Sequence, residues 1–478
     1  MVKEHVWGME LDRGGEVSLS RQIFVGVREA VLAGRLAPGE ALPSTRLLAG
    51  QLGVSRNTVC DAYDMLLAEG FLVSRQGAPT RVAEGLAAQD PAGSRYAATP
   101  SLPPVPAASP SYPPVVHDFQ TGRPDLRVFP WGLWSRMVKE AGENLPPSAR
   151  GYGETQGYAP LRSEIAAWLF RSRGMRVEET DIFITAGATQ ALHLLAELLP
   201  RREEDLFALE SPSHPAAFAI AANRGFSPLW LPVDGHGVLI EPLNDQNVSA
   251  VYVTPSHQFP LGGILPAPRR AALIRMAEAQ GFYIIEDDYD SEYRYTGAPI
   301  SPLYTLDQGA GRVIYVGSFS KTMFPALRLG FAIVPPALQK AWRTRRTYLD
   351  VQSPVLEQAG LALFLQTRSW DKHIRRMRRL YGQKRQALLE AINQHFAGAA
   401  VPWGDAAGLH LALQFPGQTF GEEFIRGSRQ DGIRINPVSV YCPGQGEHAD
   451  KLLLGYGHLN AREIQNGVAA LASFMTGY

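Results

Sequence analysis

From about Glu84 to Val116 the chain reads EGLAAQDPAGSRYAATPSLPPVPAASPSYPPVV, with neither the alternation of a strand nor the periodicity of a helix. Proline, alanine and serine dominate it, so it buries too little apolar surface to fold alone and favours an extended, semi-rigid course. A chain of 478 residues interrupted in this way is expected to fold as two bodies, 1–83 and 117–478, joined by the 84–116 linker. An alternative role for the linker is an arm lying over the second body, which Tyr96 and Tyr112 permit.

The formal net charge is +0, so no global field draws the protein to nucleic acid or membrane, and any DNA contact must come from a local patch. Two cysteines far apart, Cys60 and Cys442, argue against a disulfide scaffold and fit a reducing compartment. The first residues, MVKEHVWGMELDRGGE, lack the apolar core of a signal peptide. No apolar run reaches the roughly 20 residues of a membrane span. A cytoplasmic protein, nucleoid-associated when on DNA, is expected.

In the first body, Leu19, Ile23, Val27, Ala30 and Val31 recur at helical spacing until Gly34 and Pro38-Gly39. Ser44 or Thr45 then caps a helix to about Leu52, Gly53 breaks it, and Ser55 caps a third helix carrying Val59, Ala62, Tyr63, Leu66 and Leu67 inward. Two short helices around a tight Gly turn make a helix-turn-helix. Phe71–Ser74 and Thr80–Ala83 read as strands of a small wing. Side chains at the head of the third helix, Ser55-Arg56-Asn57-Thr58, would reach base edges and phosphates in a major groove. Arg46 and Arg75 are candidate backbone anchors, and a bland alternative is a three-helix protein-interaction module. The pattern "LPSTR…LGVSRNTV…Y..L..EG" closely resembles the winged helix of GntR-type bacterial transcription factors. That resemblance implies DNA binding through Ser44, Thr45, Arg46, Ser55, Arg56, Asn57, Thr58, Arg75 and Gly77. The wing reads Gln76-Gly77-Ala78-Pro79-Thr80 where the family usually has Gly-x-Gly-Thr.

The second body alternates strands and helices: Leu161–Arg173, Asp181–Thr185, Ala191–Leu199, Leu206–Leu209, Pro215–Asn223, Leu229–Leu231, Ala250–Thr254, Pro268–Gln280, Phe282–Glu286, Val313–Val316. Such a rhythm argues a mostly parallel sheet flanked by helices, whose ligands gather at the carboxyl ends of the strands. Several residues follow those ends. Gly317-Ser318-Phe319-Ser320-Lys321 places two hydroxyls just ahead of a lysine, with Arg328 further on; a cofactor aldehyde held as a Schiff base needs such an amine, and its phosphate needs hydroxyls and a guanidinium. Gly187-Ala188-Thr189 opens a helix whose free N–H groups suit an anion. A carboxylate in Asp287-Asp288 would pair with a protonated pyridine nitrogen, and Tyr289 would donate to a ring oxygen.

The segments "YGETQGYAPLR", "ITAGATQAL", "TPSHQFPLGG", "EDDYDSEYRY", "SFSKTMFPALRLGF" and "HIRRMRRLY" resemble fold-type I aminotransferases, and with the winged helix they resemble MocR/GabR-type regulators. The resemblance implies a multidomain fold: an N-terminal winged helix-turn-helix, then an α/β aminotransferase-like domain with a smaller C-terminal α+β subdomain. It implies pyridoxal 5′-phosphate (PLP) as cofactor, with Lys321 forming the internal aldimine, Asp287 at the pyridine nitrogen and Tyr289 at the ring hydroxyl. Ser318, Ser320, Arg328, Gly187, Ala188 and Thr189 would hold the phosphate. Tyr152 matches a tyrosine that reaches the neighbouring subunit's phosphate, which implies a homodimer, with a head-to-tail arrangement one option. No metal site is expected.

Three departures shape the functional expectation. Phe259 stands where active enzymes usually carry asparagine, so Gln258 or His257 would take over the ring oxygen. His214 stands where a ring-stacking aromatic is usual, and Ala216 two positions on, where a GABA sensor would hold a carboxylate-binding arginine. Leu453 occupies the place of the arginine that grips an α-carboxylate, with Arg434 a candidate substitute. The expectation is a regulator that binds promoter DNA and senses an amine, a dipeptide or PLP itself; the alternative is a working aminotransferase with an accessory DNA-binding module.

Overall fold

The computed structural model describes residues 6–477 apart from 16, 76, 87–111, 201–204, 298–299, 308–310 and 445. Gln76, Tyr96 and most of the Pro-rich segment therefore lie outside the described residues. The chain divides into two compact units, Met1–Pro110 and Ser111–Tyr478.

In the first unit three helices, α1 (Leu19–Leu32), α2 (Thr45–Leu52) and α3 (Arg56–Ala68), precede a hairpin of β1 (Leu72–Val73) and β2 (Arg81–Val82). Each helix starts on a serine, Ser18, Ser44 or Ser55, whose hydroxyl accepts a backbone N–H of the first turn. Phe24, Val27, Leu48, Val59, Leu66, Leu72 and Val82 close around one core. The wing strands are shorter than the sequence suggests. The far edge of β2 is taken by the loop ahead of α2: Gly39 N–H donates to the Val82 carbonyl (3.0 Å) and Val82 N–H to the Glu40 carbonyl (2.9 Å).

The second unit opens with β3 (His117–Asp118), α4 (Trp131–Asn144) and α5 (Ala159–Arg173). Its main sheet then collects β4 (Ile182–Thr185), β5 (Leu206–Ser211), β6 (Ser227–Asp234), β7 (Gly237–Val238), β8 (Val248–Val253), β9 (Tyr283–Asp288), β10 (Val313–Ser318) and β11 (Gly330–Ile333), in the order β4-β11-β10-β9-β8-β5-β6-β7. The neighbours β10, β9, β8, β5 and β6 run parallel, while β11 and β7 are antiparallel to the strands they meet. Alternation along β10 sorts the two faces: Ile314 and Val316 pack under α6 (Ala188–Leu198), α7 (Pro215–Asn223) and α9 (Pro336–Leu349). Val313 and Tyr315 face the other layer, built by α5, α8 (Ala267–Gln280), α10 (Val355–Gln366) and the start of α11 (Ser369–Phe396).

The rest of α11 carries the chain into a smaller α+β part. Strands β12 (Val401–Trp403), β13 (His410–Gln414), β15 (Asn436–Pro437) and β16 (Lys451–Gly455) form an antiparallel sheet in the order β12-β13-β16-β15. Helices α12 (Glu422–Gln430) and α13 (Ala461–Gly477) share its core with α11. The stretch from His117, irregular by sequence, is tied in here: β3 pairs in parallel with β14 (Ile433–Arg434), and Val116 N–H donates to the Gly432 carbonyl (2.9 Å). Just beyond, Lys384 on α11 reaches the buried Asp125 (2.7 Å) and the Gly457 carbonyl (2.6 Å).

Among the described residues no helix is long and apolar enough to cross a membrane, and no group of three or more His, Cys, Asp or Glu side chains is placed to hold a metal. Asp125→Ala would leave the Lys384 ammonium buried without a counter-charge. It is expected to lower unfolding free energy by about 3 kcal/mol, read by chemical denaturation.

Candidate cofactor cavity

The carboxyl ends of β8, β9 and β10 open on a cavity of about 310 Å³, within the range of small-ligand sites. Lys321 follows β10, and its Nζ donates to the Gly122 carbonyl (2.8 Å). Gly122 lies at φ +71, and a Cβ there would fall 2.7 Å from Nζ, so a side chain at that position would displace the amine. Burial lowers the Lys321 pKa, with Asp290 and Asp287 acting against the shift.

Asp287, the penultimate residue of β9, lies on the face that also carries Ile285, and Tyr252 of β8 lies on the same face. The Tyr252 hydroxyl donates to Asp287 Oδ2 (2.7 Å), while Oδ1 is buried without a partner. Burial outweighs the tyrosine's bond and pushes the Asp287 pKa up to about 6. At another part of the wall stand Ser318 and Ser320, hydrogen-bonded to each other (3.0 Å), and Arg328, which donates to the Ala186 carbonyl (2.7 Å). Ala188 and Thr189 line the cavity from the start of α6, one turn earlier than the sequence pattern suggests; the N-cap is Gly187 at φ +89, where an added Cβ would stand 3.1 Å from the guanidinium. Hydroxyls, a guanidinium and a helix N-terminus together make an anion cup.

The remaining expected contacts are rearranged. Gln258 is fully buried, and its amide is spent on backbone groups: Nε2 donates to the carbonyls of Pro212 (2.9 Å), in the segment after β5, and Phe259 (2.6 Å), and Oε1 accepts from Leu261 N–H (3.1 Å). It does not line the cavity. Tyr289 does, but its hydroxyl meets His257 Nδ1 (3.0 Å), which also meets Asp290 (3.0 Å). Burial disfavours a charged His257, yet Asp290 overcomes it and the net shift is upward. His214 and Phe259 form part of the wall with ring centroids 5.5 Å apart, and His214 Nδ1 accepts from Ala216 N–H (3.2 Å) to cap α7. Burial, then the Lys321 charge, lowers the His214 pKa. Tyr152 is 92% exposed and away from its own chain's cavity.

Leu453 is buried against Leu261, Ala412 and Val438 and does not line the cavity. Arg434 does not take over its expected role: it lies at the β3–β14 pair, bound to Asp118 (3.2 Å) and Gln120 (2.9 Å). Sequence reasoning missed Gly122, Tyr252, Asp290 and His410, all of which line the cavity. Strand alternation was the available signal for Tyr252. His410 on β13 has an unpaired, buried Nε2, and burial together with the nearby His257 pushes its pKa down to about 3.

In the first unit, Ser44 and Arg46 are exposed at the head of α2, and Ser55, Arg56 and Asn57 at the head of α3; Thr45 and Thr58 are half-buried. Ser44 and Ser55 spend an oxygen on the N–H groups of Leu47 (3.3 Å) and Thr58 (3.1 Å). Arg56 Nε donates to Thr45 Oγ1 (3.4 Å), which links the two helix heads. Arg75 and Gly77 are exposed on the wing.

Comparison with known proteins sharpens both units. The family described as "Bacterial regulatory proteins, gntR family" matches residues 19–82, and "Aminotransferase class I and II" matches residues 132–418. The probable rhizopine catabolism regulatory protein MocR of Rhizobium meliloti is 33% identical over 474 residues, 97% of this chain and 95% of that protein. The pyridoxine biosynthesis transcriptional regulator PdxR of Corynebacterium glutamicum is 35% identical over 377 residues, covering 78% and 79%. A 2-aminoadipate transaminase of Thermus thermophilus is 31% identical over 376 residues, covering 76% of this chain and 91% of the enzyme. Among solved structures, the α-aminoadipate aminotransferase LysN of Thermus thermophilus, complexed with N-(5′-phosphopyridoxyl)-L-leucine, superposes with TM-score 0.68 at 28% identity, covering 76% and 92%.

The cavity fits the pyridoxal-type cofactor implied by this kinship. An unpaired buried carboxylate oxygen suits a pyridinium N–H, and the anion cup suits a phosphate. Asp287 must be ionised to pair with the ring, and its raised pKa means the ion is lost as pH falls through about 6. PLP affinity of the wild type is therefore expected to drop between about pH 7.5 and about pH 5.5, and the step should flatten in Asp287→Asn. Spectrophotometric titration checks this; parallel pH profiles would contradict it.

Proposed function

Given that the chain belongs to the MocR-type regulators of the GntR family, DNA-binding transcriptional regulators with an aminotransferase-like domain, we propose that it holds PLP at Lys321 and uses it to sense an amine. The observation that carries this reading is a lysine amine and an unpaired Asp287 oxygen facing one cavity in which Arg328 is the only arginine among the described residues. The cofactor would supply an aldehyde that exchanges one amine for another.

The chain's own groups set the conditions. Burial lowers the Lys321 pKa and so increases the share of neutral, nucleophilic amine. Tyr252 fixes one oxygen of Asp287 and leaves the other for the ring nitrogen. Ser318, Ser320, Arg328, Gly187, Ala188 and Thr189 would hold the phosphate. With Leu453 buried outside the cavity lining and Arg434 bound to Asp118, an α-carboxylate meets no bidentate partner at either position, so an effector without that group is favoured. His410 offers a neutral ring nitrogen on the same wall, which suits a polar, uncharged effector atom.

Residues 1–83 act as the DNA reader, with Arg56 and Asn57 at base edges and Arg46 and Arg75 on phosphates, 84–116 as linker, and 117–478 as sensor. The exposure of Tyr152 supports a homodimer in which it reaches the partner's phosphate cup. Two readers per dimer call for paired half-sites spaced by helical turns. The protein works in the cytoplasm, at the nucleoid when bound to DNA. A second reading, turnover as an aminotransferase, is supported by the retained Lys321–Asp287 pair and by the transaminase relative.

Lys321→Ala is expected to abolish the lysine-dependent absorbance of added PLP, while a panel of amino donors gives no sustained transamination in the wild type. Multiple turnovers, or a wild-type spectrum in the variant, would overturn the reading. Arg56→Ala is expected to weaken promoter binding about tenfold in a gel-shift titration, in line with the loss of one base or phosphate contact.

A further inference from the structure

Between the C-terminal end of α5, the loop Ser291–Gly297 and the start of α11 lies a second cleft of about 510 Å³, sharing no lining residue with the cofactor cavity. Its lining carries six arginines, Arg171, Arg173, Arg294, Arg368, Arg375 and Arg378, against two carboxylates, Glu292 and Asp371. Those acids are already engaged: Glu292 pairs with Arg173 (3.1 Å) and Asp371 with Arg368 (3.6 Å). Arg171, Arg294, Arg375 and Arg378 have no carboxylate partner among the described residues, and Arg378 Nε donates only to the Glu292 backbone carbonyl (2.8 Å).

A second observation is independent of the charge. Four buried N–H donors on this lining have no acceptor: Trp168 Nε1, Trp370 Nε1, Arg173 Nε and Arg294 Nε. The two indoles are 4% and 3% exposed and meet edge to face, with centroids 4.7 Å apart. A buried donor left unsatisfied costs about 1–3 kcal/mol, and natural structures carry few of them. Four on one cleft, all donors, define a site short of an acceptor.

We propose that this cleft binds a small molecule bearing a phosphate group. Four uncompensated guanidinium groups call for more than one negative charge, which a phosphate monoester supplies and a single carboxylate does not. The recessed donors favour a compact ligand over the backbone of a DNA duplex. The cleft also adjoins the cofactor cavity through one loop: Asp287, Tyr289 and Asp290 line the cavity, Ser291, Glu292 and Arg294 line the cleft, and Arg173 reaches back to Asp288 (3.5 Å). An occupant would thus brace the strand end that presents Asp287.

The test is calorimetric titration of inorganic phosphate into the full chain at constant ionic strength, once saturated with PLP and once free of it. One phosphate per chain is expected in the PLP-saturated form and a second in the PLP-free form, whose cofactor cup is open; the site present in both is expected to weaken at least about tenfold in Arg294→Gln and in the exposed Arg375→Gln, with promoter affinity kept within about twofold. Arg375→Gln stands as the second variant should Arg294→Gln fold poorly. Absence of saturable binding, equal affinity in Arg375→Gln, or binding confined to PLP-free protein, which would put the ion in the cofactor's own phosphate cup, would overturn the proposal. So would a variant that loses promoter binding while its phosphate affinity stays at the wild-type level.

Discussion

A carboxylate buried at the end of β9, one oxygen held by Tyr252 and the other unpaired, is the constraint on which the second unit depends. Left alone, such a group is pushed toward its neutral form, as the rise of the Asp287 pKa to about 6 expresses. The surroundings maintain that tension. Parallel strands β8, β9 and β10 bring Tyr252, Asp287 and Lys321 to one end of the sheet, and the layers on both faces keep water from the strand interiors. A cationic ring N–H at Oδ1 would offset the cost of burial, so the fold is poised for a ligand.

The anion cup supplies the other pole. Gly187 at φ +89 lets the chain turn from β4 into α6 beside Arg328, and the helix start faces the same cavity as Ser318 and Ser320. The contrast lies in the rest of the wall. Phe259 and His214 stand where an active enzyme would contact the cofactor ring, and Leu453, buried against Leu261, Ala412 and Val438, stands where an arginine would grip the substrate's α-carboxylate. Retained anchoring with weakened substrate grip is the combination expected of a sensor. An occupant then shifts the protein between states only to the extent that it binds them unequally.

What the sequence revealed follows the range of the interactions. Lys321, its serines and Arg328 sit in one short stretch after a β-branched run, so their convergence was legible, as were the helix caps Ser44 and Ser55. Gly122 was not legible: its carbonyl meets Lys321 across 199 residues, and only the folded path of the segment after β3 brings it there. His410 arrives from a separate sheet. Gln258 was misread because sequence adjacency to Phe259 suggested a shared role, whereas its amide satisfies the Phe259 carbonyl of its own turn and the Pro212 carbonyl 46 residues earlier. Arg434 was read through its charge alone, and Asp118, 316 residues earlier, had already claimed it. The antiparallel placement of β11 between β10 and β4 likewise left no local trace in the chain.

The central claim is that the cofactor anchor and the DNA reader belong to one switch. The most direct measurement is promoter affinity of the full chain by fluorescence anisotropy, with and without PLP, in wild type and in Lys321→Ala. A change of at least about fivefold on adding PLP is expected in the wild type, the lower range of allosteric coupling, and none in Lys321→Ala. Equal promoter affinity under all four conditions would contradict it.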